Sequence, residues 1–293
     1  MYLIKKGKVM KDKHYIFNFC GIKLKIKNSK YQLYREIEFQ RELIVNNIDI
    51  TKIKPITGEL RYYQLLCLEV LERVKKICDK HNLKYWLDSG TLLGAFRHKG
   101  FIPWDDDVDL CMLRAEYDII LPLLKEEFKN DKNFFVRERD LKENNFQIRV
   151  RHKEKNIGLD IFPVDYYLKS NLSDVEKKEI TNKIKIATGL LNKKYGVKNK
   201  LSEKKIQEAK KEILKIQKEI ILDNQIPTCE NPALFFGIDF AYNAKELVFE
   251  NEVVFPLKKM EFEGKKYFVP NKTEKYLENF YSNYMEFPKN FIF

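Results

Sequence analysis

In the run Asp105-Asp106-Asp107-Val108-Asp109-Leu110-Cys111-Met112, carboxylates alternate with apolar side chains and then give way to an unbroken apolar stretch. Such a segment is predicted to enter the core as a β-strand, with Asp107 and Asp109 projecting from one face. Their Cα atoms would lie roughly 6.6 to 6.8 Å apart, so the two carboxylates repel unless a cation sits between them. Hard divalent ions, Mg2+ or Mn2+, take carboxylate oxygens and commonly grip substrate phosphates. A fold that uses this strand must therefore bury one end of it and open the other onto a charged ligand.

The residues before the acids support the same picture. Leu83 to Leu87 reads as a short strand that runs into Ser89-Gly90-Thr91 and then a helix, Thr91 to Arg97, carrying the basic triplet Arg97, His98 and Lys99. A turn through Gly100 to Trp104 returns the chain to the acidic strand. Backbone amides at the start of a helix favour a phosphate, so an anion site and a cation site fall within one short segment. Other readings of the acids are a solvated turn and the Asp-x-Asp metal motif of a glycosyltransferase. An EF-hand loop would use Asp105, Asp107, Asp109 and Glu116 as ligands, but Leu110 stands where that loop needs glycine, and Pro103 where its first helix should end.

The segment GTLLGAFRHKGFIPWDDDVD resembles the signature of the LicD/fukutin family, without a gap. Members are phosphotransferases of the nucleotidyltransferase-like fold that move a phosphoalkyl group, such as phosphocholine or ribitol phosphate, from a CDP-linked donor to a glycan. That fold pairs a small-residue turn with an apolar-Asp-apolar-Asp strand and a third carboxylate on a later strand. The third carboxylate implied here is Asp160, in Gly158-Leu159-Asp160-Ile161-Phe162-Pro163, which is similar to an Asp-Ile-Phe-Pro segment of the family. An acid between apolar neighbours in a strand is costly unless a cation or donor meets it, although it could also cap a local turn. The likeness covers roughly Glu59 to Pro288 with a divergent middle.

Around this centre the chain is predicted to be α+β: a nucleotidyltransferase-like mixed sheet flanked by helices, with a helical-hairpin insertion and a small N-terminal β-containing module. Residues 1–58 are predicted to form that module, with two short strands or one bulged strand around Gly21, a polar helix from Tyr31 to Val45 and a soft boundary at Ile53 to Gly58. Glu59 to Asn82 is an amphipathic helix with Tyr63, Leu66, Cys67, Val70, Val74, Ile77 and Cys78 on its buried face. A helix from Arg114 is predicted to break or kink at Pro122. Strands follow at Phe134 to Glu138, Asn145 to Arg151 and Ile157 to Phe162. Arg149 and Arg151 share a face beside Asp160, where they either reach the site or pair with that acid. Residues 173–222 read as the helical hairpin. A β-hairpin turning at Glu263-Gly264 and a terminal helix with aromatic packing complete the phosphotransferase domain, 59–293.

The net charge of +12 is uneven. Residues 1–30 hold nine lysines and one acid, and residues 173–222 hold fourteen lysines and seven acids, so the remainder is slightly acidic. Lysines that flank a neutral domain, without an arginine and aromatic stripe, argue against nucleic acid. They leave a peripheral contact with an anionic membrane as an expectation beside plain solvated charge. Five scattered cysteines without a CxxC pair fit reduced thiols, and no apolar run reaches the length of a signal peptide or a membrane span. These features predict a cytoplasmic protein, at the inner membrane face if the lysines dock there.

The expected chemistry is metal-dependent transfer of a substituted phosphate from the CDP-linked donor to a hydroxyl of a cell-surface glycan, free or lipid-linked. Asp107, Asp109 and Asp160 would be catalytic and would hold Mg2+ or Mn2+, with Asp105 as an additional ligand. Ser89, Gly90 and Thr91 would hold the diphosphate, Arg97, His98 and Lys99 would balance its charge, and Arg149 and Arg151 would bind substrate. A glycosyltransferase using a nucleotide sugar and a small-molecule nucleotidyltransferase using an NTP are the alternatives.

Overall fold

The computed structural model describes residues 14–19, 22–27, 49–137, 148–155, 157–170, 172–182, 232–236, 246–281 and 283–287, with 204, 208, 211 and 215. Contacts divide the chain after Ile53 into two units, residues 54–282 and residues 1–53 with 283–293. In the smaller unit, β1 (His14–Phe19) and β2 (Ile22–Lys27) pair antiparallel, from His14 with Lys27 to Phe19 with Ile22. The helix expected at 31–45 lies outside the described residues. So does most of the expected insertion, of which 174–182 is helical.

The larger unit is built on one mixed sheet. Helix α1 (Glu59–His81) buries Cys67, Val70, Leu71, Val74 and Cys78, a stripe repeating every three or four residues. Tyr63, Leu66 and Ile77 flank this stripe half-buried, and Gln64 and Leu71 take the inward positions instead. Asn82 ends the helix in the left-handed conformation, with its amide on the Cys78 carbonyl. The strand that follows, β3, is short, Trp86–Leu87, and antiparallel to β4 (Asp107–Leu113). Between them runs α2 (Ser89–His98), which begins two residues earlier than its apolar pattern predicts.

Strand order is β3-β4-β7-β6-β5, where β5 is Phe134–Arg137, β6 Ile148–His152 and β7 Gly158–Ser170. β4 and β7 are parallel, and a parallel pair needs a crossover between its strands. Helix α3 (Arg114–Phe128) begins that connection and continues through Pro122, so the helix does not break there. Pro122 and Asp118 are both exposed, so water can satisfy the carbonyl that a proline amide would have bonded. Val164 pairs with Leu113 on one edge of β7 and with Phe236 on the other. The long strand thus carries β6 and then β8 (Pro232–Phe236) in succession along one edge, and β9 (Val248–Glu250) pairs with β8.

The hairpin of β10 (Lys258–Phe262) and β11 (Lys265–Val269) turns at Glu263-Gly264, both at positive φ. Helix α4 (Thr273–Phe280) follows and brings Tyr276 and Phe280 against Phe249 and Phe236. Cys67, Cys78 and Cys111 are buried free thiols. Among the described residues no helix is long and apolar enough to cross a membrane.

Candidate active site

Parallel pairing of β4 with β7 sets Asp109 beside Asp160 and Asp107 beside Gly158. Oxygens of Asp107, Asp109 and Asp160 all lie within 4.8 Å of one another, and Asp105, Asp106 and Asp107 form a second such group sharing Asp107. The sequence therefore brings its three catalytic candidates to one point, with Asp105 at the border. Gly158 makes room for the arrangement, because a Cβ there would stand 1.9 Å from the Val150 carbonyl oxygen. Burial is the main cause that raises Asp105, Asp107 and Asp109 above the usual carboxylate range. After burial, Asp107 and Asp106 act on Asp105, Asp160 and Asp106 on Asp107, and Asp107 and Asp160 on Asp109.

On the other edge of β7, Arg149 pairs in register with Asp160. Arg149 Nε lies 3.9 Å from Asp160 Oδ2, and Arg151 Nη2 forms an ion pair with Asp160 Oδ1. Both arginines thus face the third carboxylate. Arg151 is 8% exposed, and its Nη1 is buried with no hydrogen-bond partner among the described residues.

The start of α2 is stitched to Asp109 where β3 has already ended. Asp88 N donates to Asp109 O at 3.0 Å, and Asp109 N donates to Thr91 Oγ1 at 2.9 Å. Ser89 has φ +47°, a conformation costly for a residue with a side chain and frequent at functional sites. A Cβ on Gly90 would meet Asp105 Oδ2 at 2.5 Å. Glycine there lets the acidic loop close onto the helix start.

The basic triplet divides. Arg97 is 7% exposed, stands 5.8 Å over Trp104 and donates from Nε to His98 Nε2 at 2.9 Å. Burial lowers it to about 10, which leaves it charged at neutral pH. His98 is pushed down to about 4 by burial and then by Arg97, which favours the neutral imidazole at pH 7. Lys99 is the exposed C-cap, at the far end of α2 from Ser89 and about 15 Å along the axis.

Several residues that position this loop were not singled out in the sequence. Gln64 Nε2 donates to the carbonyls of Asp105 (2.9 Å) and Ile102 (3.3 Å), while its Oε1 accepts from Arg61 Nη1 at 3.1 Å. Arg61 also bonds both carboxylate oxygens of Glu263, at 3.1 and 2.6 Å. Glu263 in turn accepts from Phe101 N, and its own amide donates to Lys99 O. The hairpin tip, α1 and the acidic loop are thus linked through three side chains. A glutamine on the buried stripe of α1 is the one signal that could have found this.

Asp88 and two tyrosines were also missed. Asp88 is fully buried, and its carboxylate accepts from Tyr276 Oη at 2.5 Å and Ser89 Oγ at 2.9 Å. The Tyr281 phenol is raised by burial and then by Asp88, Asp109 and Asp105, with Arg97 opposing, so it borders the cluster.

The donor groups here are oxygens throughout. Asp105, Asp107, Asp109 and Asp160 outnumber Arg149 and Arg151, which suits a hard divalent cation.

The family profile described as LicD/FKTN/FKRP, nucleotidyltransferase domain, matches residues 82–188, from β3 to just beyond β7. The lipopolysaccharide cholinephosphotransferase LicD of Haemophilus influenzae is 28% identical over 254 residues, covering 78% of this chain and 92% of that protein. Human FKRP, a ribitol 5-phosphate transferase, is 32% identical over 112 residues, or 36% of this chain and 22% of FKRP. Among solved structures, terminal uridylyl transferase 4 of Trypanosoma brucei aligns at 12% identity and a TM-score of 0.25, over 55% of this chain and 48% of that one. The profile match spans the two acid-bearing strands and the helix between them, and the likeness to LicD extends over nearly the whole of that protein. Residues 82–188 thus carry the LicD/FKTN/FKRP nucleotidyltransferase domain, set within a mixed α+β fold.

Proposed function

We propose that the chain transfers a substituted phosphate, phosphocholine-like or polyol phosphate, from a CDP-linked donor to a hydroxyl of a cell-surface glycan. The observation that carries this reading is the meeting of Asp107, Asp109 and Asp160 within 4.8 Å, beside a helix start held onto Asp109. The phosphotransferase relatives supply the reaction class, since they are named for moving cholinephosphate and ribitol phosphate. Asp107, Asp109 and Asp160 would hold Mg2+ or Mn2+, with Asp105 adjoining. A cation there supplies Lewis-acid activation of the attacking hydroxyl and neutralises charge on the departing CMP.

The chain's own groups supply the rest. Arg149 and Arg151 hold Asp160 in place, and the buried Nη1 of Arg151 offers a hydrogen bond to the distal phosphate of the donor. Amides of Gly90 and Thr91 at the start of α2 favour the negative charge of the diphosphate. Glycine at 90 lets Asp105 approach the start of α2.

Purified protein with Mg2+ or Mn2+ should be stabilised by CDP-linked alcohols more than by UDP- or GDP-sugars. It should release CMP slowly to water and faster to a glycan acceptor, and label on the distal phosphorus should appear in a phosphodiester on the product. Release of CDP or UDP with an unphosphorylated product would make the protein a glycosyltransferase. Pyrophosphate released from an NTP would make it a nucleotidyltransferase of small molecules.

A further inference from the structure

The proposed transfer site leaves Asp88 without a role, although it is a fully buried carboxylate beside Asp109. It occupies the N-cap of α2, where an aspartate ordinarily turns its side chain onto the amide two or three residues ahead. Here no side chain caps the helix. The Asp88 carboxylate is turned instead to Tyr276 Oη at 2.5 Å and Ser89 Oγ at 2.9 Å. Trp86 Nε1 donates to Tyr276 Oη at 3.3 Å, and the Tyr276 ring stacks on Phe249 at 5.3 Å and 22°. The phenol is therefore fixed by packing and aimed at Asp88 from the C-terminal helix.

We infer that Tyr276 is a positioning residue for donor binding: by holding the Asp88 carboxylate, it keeps that group off the Gly90 and Thr91 amides and leaves them for an anionic phosphate of the donor. The inference rests on the transfer reading for its consequence, but the competition between Tyr276 and the two amides does not depend on any ligand. In Tyr276→Phe the ring and its stacking remain and the hydroxyl is lost. A buried carboxylate deprived of that donor is free to make the ordinary N-cap bond, to the amide two or three residues ahead, Gly90 or Thr91. The helix gains an ordinary cap, and the donor meets a carboxylate where its phosphate should lie.

Amide hydrogen exchange over residues 88–93 in the ligand-free protein tests the first half. Tyr276→Phe should slow exchange at Gly90 and Thr91 about tenfold or more, with Tm moved by no more than about 5 °C. In the double variant Asp88→Ala/Tyr276→Phe, exchange should return to the parent rate. Kinetics test the second half. The single variant should raise KM for the CDP-linked donor about tenfold while kcat changes by less than about threefold, and the double variant should bring KM back down. Unchanged exchange in the single variant would overturn the inference, as would a double variant with higher KM than the single one. If the parent protein turns over no CDP-linked donor, the transfer reading fails, while the exchange result still decides what Tyr276 does.

Discussion

Replacing Asp107 with Asn should make the metal-free protein more stable while abolishing turnover, and the size of the gain can be worked from the cluster. Two unit charges within 4.8 Å of each other at an effective dielectric of 20 repel by about 3.5 kcal/mol or more, and Asp107 faces both Asp109 and Asp160. Arg151 offsets part of this. The net effect appears in the ionisation of Asp107, which burial and then Asp160 push from 3.8 up to about 6. At about 1.4 kcal/mol for each tenfold change, neutralising the group at pH 8 is worth at most about 3 kcal/mol. Discounting for solvent screening of a half-buried side chain leaves about 1–2 kcal/mol, or a Tm higher by about 2–8 °C. The folded state raises this carboxyl above its unfolded value. Its favourable balance is therefore complete below about pH 4 and is lost as pH rises through the folded value, so the gain from Asp107→Asn should be present at pH 8 and gone at pH 4. Thermal melts in EDTA at the two pH values, followed by titration with Mg2+, make the measurement. Mg2+ should raise the Tm of the parent at pH 8 and leave that of the variant nearly unmoved. A variant less stable than the parent at pH 8, or a gain that persists at pH 4, would refute repulsion as the cause.

Gly90→Ala should put a methyl against Asp105 Oδ2, which would stand 2.5 Å away. Since that oxygen ends a side chain and can swing aside, Tm should move little, while turnover falls about tenfold or more with a higher Mg2+ requirement in steady-state kinetics. Gln64→Leu should leave the buried carbonyls of Asp105 and Ile102 without their donor and take one acceptor from Arg61, which keeps Glu263. The expected cost is about 2–4 kcal/mol, read in urea denaturation as an earlier midpoint at unchanged slope; an unmoved midpoint would show that these bonds are replaced by water.

The strands around the site were legible because their patterns are local. Asp107 and Asp109 alternate with Val108 and Leu110, and period two is enough to place both acids on one face. The hairpin turn at Glu263-Gly264 was legible for a similar reason, since Gly264 stands between the alternating Met260-Glu261-Phe262 and the apolar Tyr267-Phe268-Val269. Pro122 misled because a proline's effect on a helix depends on whether the carbonyl it frees meets water, and sequence does not say which side of α3 faces out. In α1, Tyr63, Leu66 and Ile77 were given the inward face, while the neighbouring stripe through Gln64 and Leu71 is the one that packs. A shift of one residue along a helix turns the face by about 100°, and an apolar stripe wide enough to fit two rotations leaves the choice to the tertiary partner.

What the sequence could not give are the pairs made across the chain. Register between β4 and β7 decides whether Asp160 meets Asp109 or points to the far side of the sheet, and a one-residue slip would turn Asp160 away. Nothing in the residues near Asp88 says that its carboxylate will find a phenol 188 positions later, and nothing near Gln64 says that Arg61 will link it to Glu263. These links share one property. The bonds of Tyr276, Gln64 and Glu263 each end on the short stretch between Asp88 and Asp105, and each begins on an element, α4, α1 or the turn of the β10–β11 hairpin, that carries none of the clustered carboxylates. The acids come from two neighbouring strands, and the loop and helix start that face them are held from outside the sheet as well as by the backbone of Asp109. Substitutions on α1, the hairpin or α4 should therefore alter donor and metal affinity without touching either ligand, through the placement of Asp105 and of the α2 amides.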